Sequence, residues 1–377
     1  MKSTESQPGF VMYGAEFSLY SGKLRSYLRK KGIEFTEIQP WLMTYKRFIV
    51  PRTGVRYIPV LQTPEDQVWQ DTTVIIDHLE DRFPQPSVYP ATARRKLAAL
   101  ILELFGDEWL LLPAMHYRWN FPAENLPFIY GEFGKLMFPH LPAFVQRKVG
   151  RKLGDRFRRV VPRLGINEET IPALESWYEG LLAELDEHFR QHDFLLGQHP
   201  TIADFGFIGP FYAHLYRDPY PGKLMRESAP RVAAWVERMI SPQAADNAAT
   251  AEQTESTDEI PPTLMPVLNR FAKEQLPILV DTARILDDHS DGIGANEVPR
   301  FLGMHEVKIA GVPAQRMVIP YSLWMFQRPL DFWRSLEGEQ RVRAKRLLED
   351  IGAGDLFDIK QRVRLKRENN RLYLEPG

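Results

Sequence analysis

Three short stretches near the start of the chain hold residue types that chemistry needs. Ser18-Leu19-Tyr20-Ser21-Gly22-Lys23-Leu24-Arg25 follows a short apolar strand at 10–13. It opens a helical run in which Leu24, Tyr27, Leu28 and Lys31 keep i, i+3, i+4, i+7 spacing. Tyr57-Ile58-Pro59-Val60-Leu61 comes next, and Gln70-Asp71-Thr72-Thr73-Val74-Ile75 opens a second helix. A helix N-terminus leaves backbone N–H groups unpaired and carries partial positive charge. Both openings are therefore places to hold an anion. A serine hydroxyl placed there donates to a thiolate and lowers the thiol pKa. The plainer role for Ser18 or Ser21 is to cap the helix. Asp71 reads either as a helix cap or as the partner of an ammonium group, with Thr72 offering a hydroxyl. Tyr20, and Tyr13 on the strand, are alternative hydroxyl donors.

The elements that must position these residues follow from periodicity. Strand 10–13, helix 21–31 ended by Gly32, and strand 35–38 form a β-α-β unit. A connector leads to a hairpin, 57–62 and 67–69, across Thr63-Pro64-Glu65-Asp66, and then to the helix from Asp71 that Phe83-Pro84 closes. From about 92 to 290 the pattern is helical, with strong 3.6 periodicity over 96–109, 174–190, 202–215 and 230–239. Residues 121–165 are rich in Pro and Arg and read as an insertion of short helices. Residues 241–258, almost devoid of large apolar side chains, read as a linker or mobile loop. Helix resumes over 263–287. The tail holds two predicted hairpins, 306–309 with 316–319 across Ala310-Gly311-Val312-Pro313, and 363–367 with 371–374, separated by a charged helix at 338–351.

Length and composition narrow the function classes. The 377 residues are enough for two to three domains. With 48 basic against 49 acidic side chains, no global field draws the chain to nucleic acid or an anionic membrane. There is no cysteine, which excludes disulfides, thiolate metal sites, Fe–S clusters and protein-borne CxxC chemistry, and fits a reducing cytoplasm. The N-terminal MKSTESQPGF lacks the apolar core of a signal peptide. The longest apolar run, 97–112, is interrupted by Glu103, Asp107 and Glu108, so no membrane span is expected. No metal-ligand spacing, Walker loop or GxGxxG occurs. Segments 147–163 and 341–371 lean basic and read as solvated faces interleaved with acids.

The three opening stretches, in their order and spacing, resemble the N-terminal domain of the glutathione S-transferase superfamily. Phe194-Leu195-Leu196-Gly197 followed by Thr201-Ile202-Ala203-Asp204-Phe205 resembles the capping box of that family's helical domain. The likeness covers roughly residues 10 to 240. It implies an α/β thioredoxin-like domain at 8–90 and an all-α domain at 92–290. An α+β C-terminal extension is expected at 291–377, and the tail from about 260 has no counterpart in the shorter members.

The resemblance also implies roles. Ser18 matches the catalytic serine or cysteine position, with Tyr20 as the alternative hydroxyl. The Ile58–Pro59 bond matches a cis-proline whose preceding backbone pairs with the cysteinyl part of glutathione. Gln70-Asp71-Thr72 stands where the family holds the γ-glutamyl carboxylate, although Asp71 replaces the usual serine. Glutathione is the implied co-substrate and a small apolar electrophile the partner. Tyr117, Arg118 and Trp119, then Tyr212, Tyr216 and Trp324, are candidates for the electrophile pocket, and segment 320–326 is a candidate cover for it. The family commonly forms homodimers, is cytoplasmic and serves detoxification; no nucleic acid is implied. Three chemistries remain open: transfer, isomerisation or dehalogenation through a glutathione thiolate; a non-catalytic binding or scaffold protein on the same fold; and use of a different thiol carrying a cationic group that meets Asp71.

Overall fold

The structure, a computed structural model, describes residues 9–242 and 258–376. Most of the expected loop near 241–258, and the domain start expected at residue 8, lie outside the described residues. Strand β1 (Phe10–Tyr13) pairs in parallel with β2 (Phe35–Ile38). Its other edge takes antiparallel β3 (Val60–Gln62), which pairs with β4 (Val68–Gln70), giving the order β2-β1-β3-β4. Alternate residues of β1 serve opposite faces, as strand geometry requires. Phe10 and Met12 join the cluster of Leu24, Leu28, Ile75 and Leu79, while Tyr13 packs with Ile49 and Val60. Helix α1 (Leu19–Lys30) links β1 to β2. The connector folds as α2 (Leu42–Thr44) and α3 (Val50–Thr53) around a widened helical turn at Tyr45–Ile49, and α4 (Thr72–Arg82) follows β4. This is a thioredoxin-like domain.

An all-α region follows, beginning with α5 (Ala93–Leu104), α6 (Leu111–Trp119), α7 (Pro122–Met137) and α8 (Ala143–Arg158). It continues through α9 (Ile171–His188), α10 (Ile202–Pro210), α11 (Pro219–Ser228) and α12 (Pro230–Ile240). Beyond the undescribed residues come α13 (Met265–Arg270) and α14 (Leu276–Ile293). The periodic run at 96–109 is real, but its last turn, Phe105–Trp109, is widened, as is Phe211–Tyr216 after α10. Helix α10 begins with a complete capping box: Thr201 N–H donates to Asp204 Oδ2 at 2.9 Å. A Cβ on Gly206 would run into the backbone of Glu103, so glycine lets the α10 and α5 backbones approach closely.

The insertion expectation at 121–165 needs correction. Instead of short helices, α7 and α8 are 16 residues each and form an antiparallel hairpin. Pro122 sits in the first turn, where its missing N–H costs nothing. A Cβ on Gly134 or Gly150 would collide with the facing helix backbone, at Gln146 and Tyr130 respectively.

The tail contains hairpin β5–β6 (Met304–Ile309, Val312–Met317), α15 (Pro320–Ser335), α16 (Gly338–Asp350) and hairpin β7–β8 (Val363–Glu368, Arg371–Pro376). The first turn is tighter than expected: Ala310 and Gly311 take positive φ, and Val312 and Pro313 lie in the strand. A two-stranded ribbon tolerates that proline because one of its edges is unpaired. The extension shares the main core through Leu323, Phe326 and Leu330 of α15 and Leu347 of α16.

Candidate functional site

Ser18 is the N-cap of α1; its hydroxyl oxygen accepts from the Ser21 N–H at 3.4 Å, a long and easily exchanged bond. Ser21 is fully buried and its oxygen accepts from the Ala15 N–H at 3.2 Å. The two serines therefore divide the labour: Ser21 fixes the loop, and half-buried Ser18 opens the helix. Arg118 braces the same loop from α6. One of its nitrogens donates to the Phe17 carbonyl at 2.9 Å, and its fork grips the buried Asp218 at 2.7 and 2.8 Å.

The Ile58–Pro59 peptide is cis. Asp71 has φ of 83° and caps α4, its Oδ1 accepting from Thr73 N–H at 3.0 Å and Val74 N–H at 3.5 Å. Gln70, Asp71 and Thr72 are all buried. The structure thus groups Ser18, Ile58, Pro59, Gln70, Asp71 and Thr72 at the ends of strands and heads of helices in one domain.

The electrophile candidates fare differently. Tyr117, Arg118 and Trp119 are almost completely buried. Tyr117 stacks on Phe121 at 5.4 Å and Trp119 lies against Phe133 at 6.3 Å. With its donors already committed, Arg118 acts as a brace rather than an open cationic face. Tyr212 and Tyr216 donate to Glu16 (2.5 Å) and Glu237 (2.6 Å). Tyr20 points its hydroxyl at the Asp107 carbonyl, 3.4 Å away, rather than along Ser18. Burial, aided by Glu108, Asp107 and Asp71, pushes its phenol well above the ordinary value. Tyr13 donates to Gln62 at 3.1 Å.

The extension brings the expected covering segment and residues that local sequence reading missed. Tyr321, at the head of α15, donates to Asp71 Oδ2 at 2.5 Å, beside Trp324. Segment 320–326 therefore lies over the head of α4. Arg367 of β7 donates to the Gln70 carbonyl (3.2 Å) and side-chain oxygen (2.5 Å). Asn370 donates to the Thr53 carbonyl at 2.9 Å, and Arg300 lies 4.6 Å from the Tyr57 ring centroid. Ser322 donates to Glu108 at 2.5 Å, and burial pushes the Glu108 carboxyl up to about 7.

Beneath this layer lies a buried ion cluster. Lys23 of α1 meets Glu103 at 2.7 Å and Asp107 at 2.5 Å. Arg328 of α15 reaches Glu103 at 3.5 Å and Asp77 at 2.5 Å. Both cations are held charged by these carboxylates, while burial pushes Asp107 upward against the pull of Lys23. The sequence does carry a signal for the cluster. Glu103 and Asp107 stand i, i+4 in an apolar run, and buried acids need a cation.

Thioredoxin-like domain, helical domain and capping box define a class, that of proteins with a thioredoxin-like first domain and an all-α second domain. Family models agree: the glutathione S-transferase N-terminal domain matches residues 12–87 and the C-terminal domain matches 168–238. In these two regions the chain is similar to the glutathione S-transferase superfamily. Among solved structures, a GST-like protein from Pseudomonas syringae is 20% identical, with 65% of this chain and 72% of that one covered and a TM-score of 0.42. A beta-etherase from Sphingobium sp. strain SYK-6 is 18% identical over 66% of this chain and 100% of its own, at a TM-score of 0.39. Rice GST1 in complex with glutathione is 17% identical over 67% and 96%, at a TM-score of 0.38. No curated protein sequence matches the chain.

Proposed function

We propose that the protein is a glutathione-dependent transferase whose γ-glutamyl site is completed by its own C-terminal extension. One observation carries this reading. Asp71 caps α4, and Arg367 donates to the carbonyl and side-chain oxygen of its neighbour Gln70, so side chains of opposite charge flank the head of α4. The γ-glutamyl end of glutathione carries an ammonium and a carboxylate on one carbon. Asp71 takes the ammonium and Arg367 the carboxylate, so the missing family serine is replaced by a charge pair. The ammonium takes the place on Asp71 that the Tyr321 hydroxyl holds in the free protein. The cysteinyl backbone pairs with Ile58, and Thr72 offers its hydroxyl alongside. The thiol then sits at the head of α1, where Ser18 donates to the thiolate and the helix terminus favours its charge. The thiol proton goes to solvent. The sulfur attacks the carbon of an apolar electrophile, forming the S–C bond as the leaving group departs with its electron pair.

The domain division at 8–90, 92–290 and 291–377, a homodimer and a cytoplasmic, detoxifying role belong to the same proposal. Light scattering on the purified chain tests the dimer. Calorimetric titration with reduced glutathione, in buffers of different ionisation enthalpy, tests the core of the reading. Saturable binding with proton release near neutral pH supports it. Ser18→Ala should then keep binding and lose about a hundredfold in turnover, the usual worth of one donor to a developing or bound anion.

A second reading has its own observation. Tyr321 already holds the Asp71 carboxylate that a ligand would use, and Arg367 already holds Gln70 beside it. On this reading the chain is a binding or scaffold protein with a closed site. Absence of glutathione binding at millimolar concentration, and the same result in Tyr321→Phe, favours it.

A further inference from the structure

The α7–α8 hairpin takes no part in the proposed site. Helix α8 carries Arg147, Lys148, Arg151, Lys152, Arg156 and Arg158, and Arg159 and Arg163 follow it; all eight are exposed. The face is solvated, but the expected interleaving with acids is missing, since Asp155 is the sole acid in this stretch. Asp155 accepts from the Tyr130 hydroxyl at 2.6 Å and lies 3.9 Å from Arg151. No other ion pair involves these eight cations among the described residues. At 100° per residue, Phe144 falls on the same helix face as Arg147, Lys148, Arg151 and Arg158. Gln146, Gly150 and Gly154 face the partner helix instead and are buried.

The hairpin tip is apolar: Pro139, Leu141, Pro142 and Phe144 are exposed, and Phe144 is 70% accessible. Gly134 and Gly150 let the two helix backbones pack closely behind this face. A neutral chain has thus concentrated positive charge next to a projecting phenylalanine, in one place.

We infer that the outer face of α8 and the hairpin tip form a docking surface for an anionic lipid membrane. Phosphate headgroups of an anionic leaflet attract the Lys and Arg side chains. Leu141 and Phe144 gain only by entering the boundary between headgroups and acyl chains, about 5–10 Å deep, while the basic side chains reach back to the phosphates. That apolar requirement favours lipid over nucleic acid, whose backbone rewards the charges but offers an aliphatic Leu141 nothing. No helix among the described residues is long and apolar enough to cross a membrane, so the contact proposed is with the surface.

The test is flotation of the full chain with vesicles of phosphatidylcholine alone or mixed with phosphatidylserine. Binding is expected to the mixed vesicles only, weakening at high salt. Neutralising each basic residue should cost about fivefold in affinity, and reversing two, in Arg151→Glu/Lys152→Glu, at least about thirtyfold. Phe144→Ser should also weaken binding, whereas Lys345→Glu/Arg346→Glu on α16 should leave it unchanged. Circular dichroism identical to the parent confirms that each surface variant is folded. The proposal is overturned if mixed vesicles do not bind, if neutral vesicles bind equally, or if α16 reversal matters as much as α8 reversal. It is also overturned if a short RNA binds more tightly than the vesicles through the same arginines, with Phe144→Ser without effect on either.

Discussion

Removing one oxygen atom, in Tyr321→Phe, separates the closed and open descriptions of the γ-glutamyl site. The Tyr321 phenol is held well above its ordinary pKa by burial and by Asp71 and Glu108, so it is a protonated donor at any working pH. Its bond to the Asp71 carboxylate oxygen Oδ2, 2.5 Å long, is part-buried and charge-assisted. Such bonds contribute about 1.5–3 kcal/mol net. Phenylalanine keeps the ring beside Trp324 and creates no large cavity. Asp71 keeps its two α4 N–H donors on the other oxygen. Two opposite effects follow. Urea denaturation should show stability lowered by about 1.5–3 kcal/mol. Glutathione should bind about ten- to a hundredfold more tightly, because the ligand no longer has to break the bond to reach Asp71. A calorimetric titration reads the second effect directly. If stability falls while glutathione affinity stays the same or weakens, Tyr321 and the ligand do not compete, and Asp71 is not the ammonium site.

Other consequences are open to direct measurement. Arg118→Met strands the fully buried Asp218 and should cost about 3–5 kcal/mol in chemical denaturation, whereas Arg118→Met/Asp218→Leu should recover most of it. Gly150→Ala forces its Cβ onto the Tyr130 carbonyl, so the α7–α8 hairpin must separate; hydrogen exchange should show its amides losing protection before those of α10. Glu108, whose carboxyl rises from 4.5 to about 7 on folding, binds its proton more tightly in the native state. Its contribution to stability is therefore full below pH 4.5 and is lost as pH climbs to about 7, up to about 3 kcal/mol. Melting curves of Glu108→Gln and the parent should converge at low pH and separate in favour of the variant as pH rises through that window.

How much was legible depended on sequence distance. The first domain could be read because its strands, its 3.6-period helices and its two helix openings are local patterns, and Ser18, Pro59 and Asp71 sit at their ends. The α7–α8 hairpin was misread because Pro122 and Pro127 look like breakers. Its apolar stripe is also thin, with glycines taking the place of larger contacts. Tyr117, Arg118 and Trp119 suggested an open aromatic and cationic face, but nothing local announces that Asp218 waits for the arginine a hundred residues on. The partners of Tyr321, which lies in the expected covering segment, and of Arg367, which no local signal marks, are hidden for the same reason: they meet Asp71 and Gln70 across 250 and 297 positions. The Lys23–Glu103–Asp107 cluster lay between these extremes, since acids inside an apolar helix show that a cation is owed but not which one.

The reach of Arg367 back to Gln70 also sets a clock on biosynthesis. At about 5–20 residues per second, the ribosome needs roughly 15–60 s to go from the end of α4 to the last hairpin. During that interval the first domain can fold, but Asp71 waits for Tyr321 and Gln70 waits for Arg367. A nascent chain is thus open at this one place until Tyr321 and β7 have been made, so a ligand or chaperone present during translation meets a different molecule from the folded one.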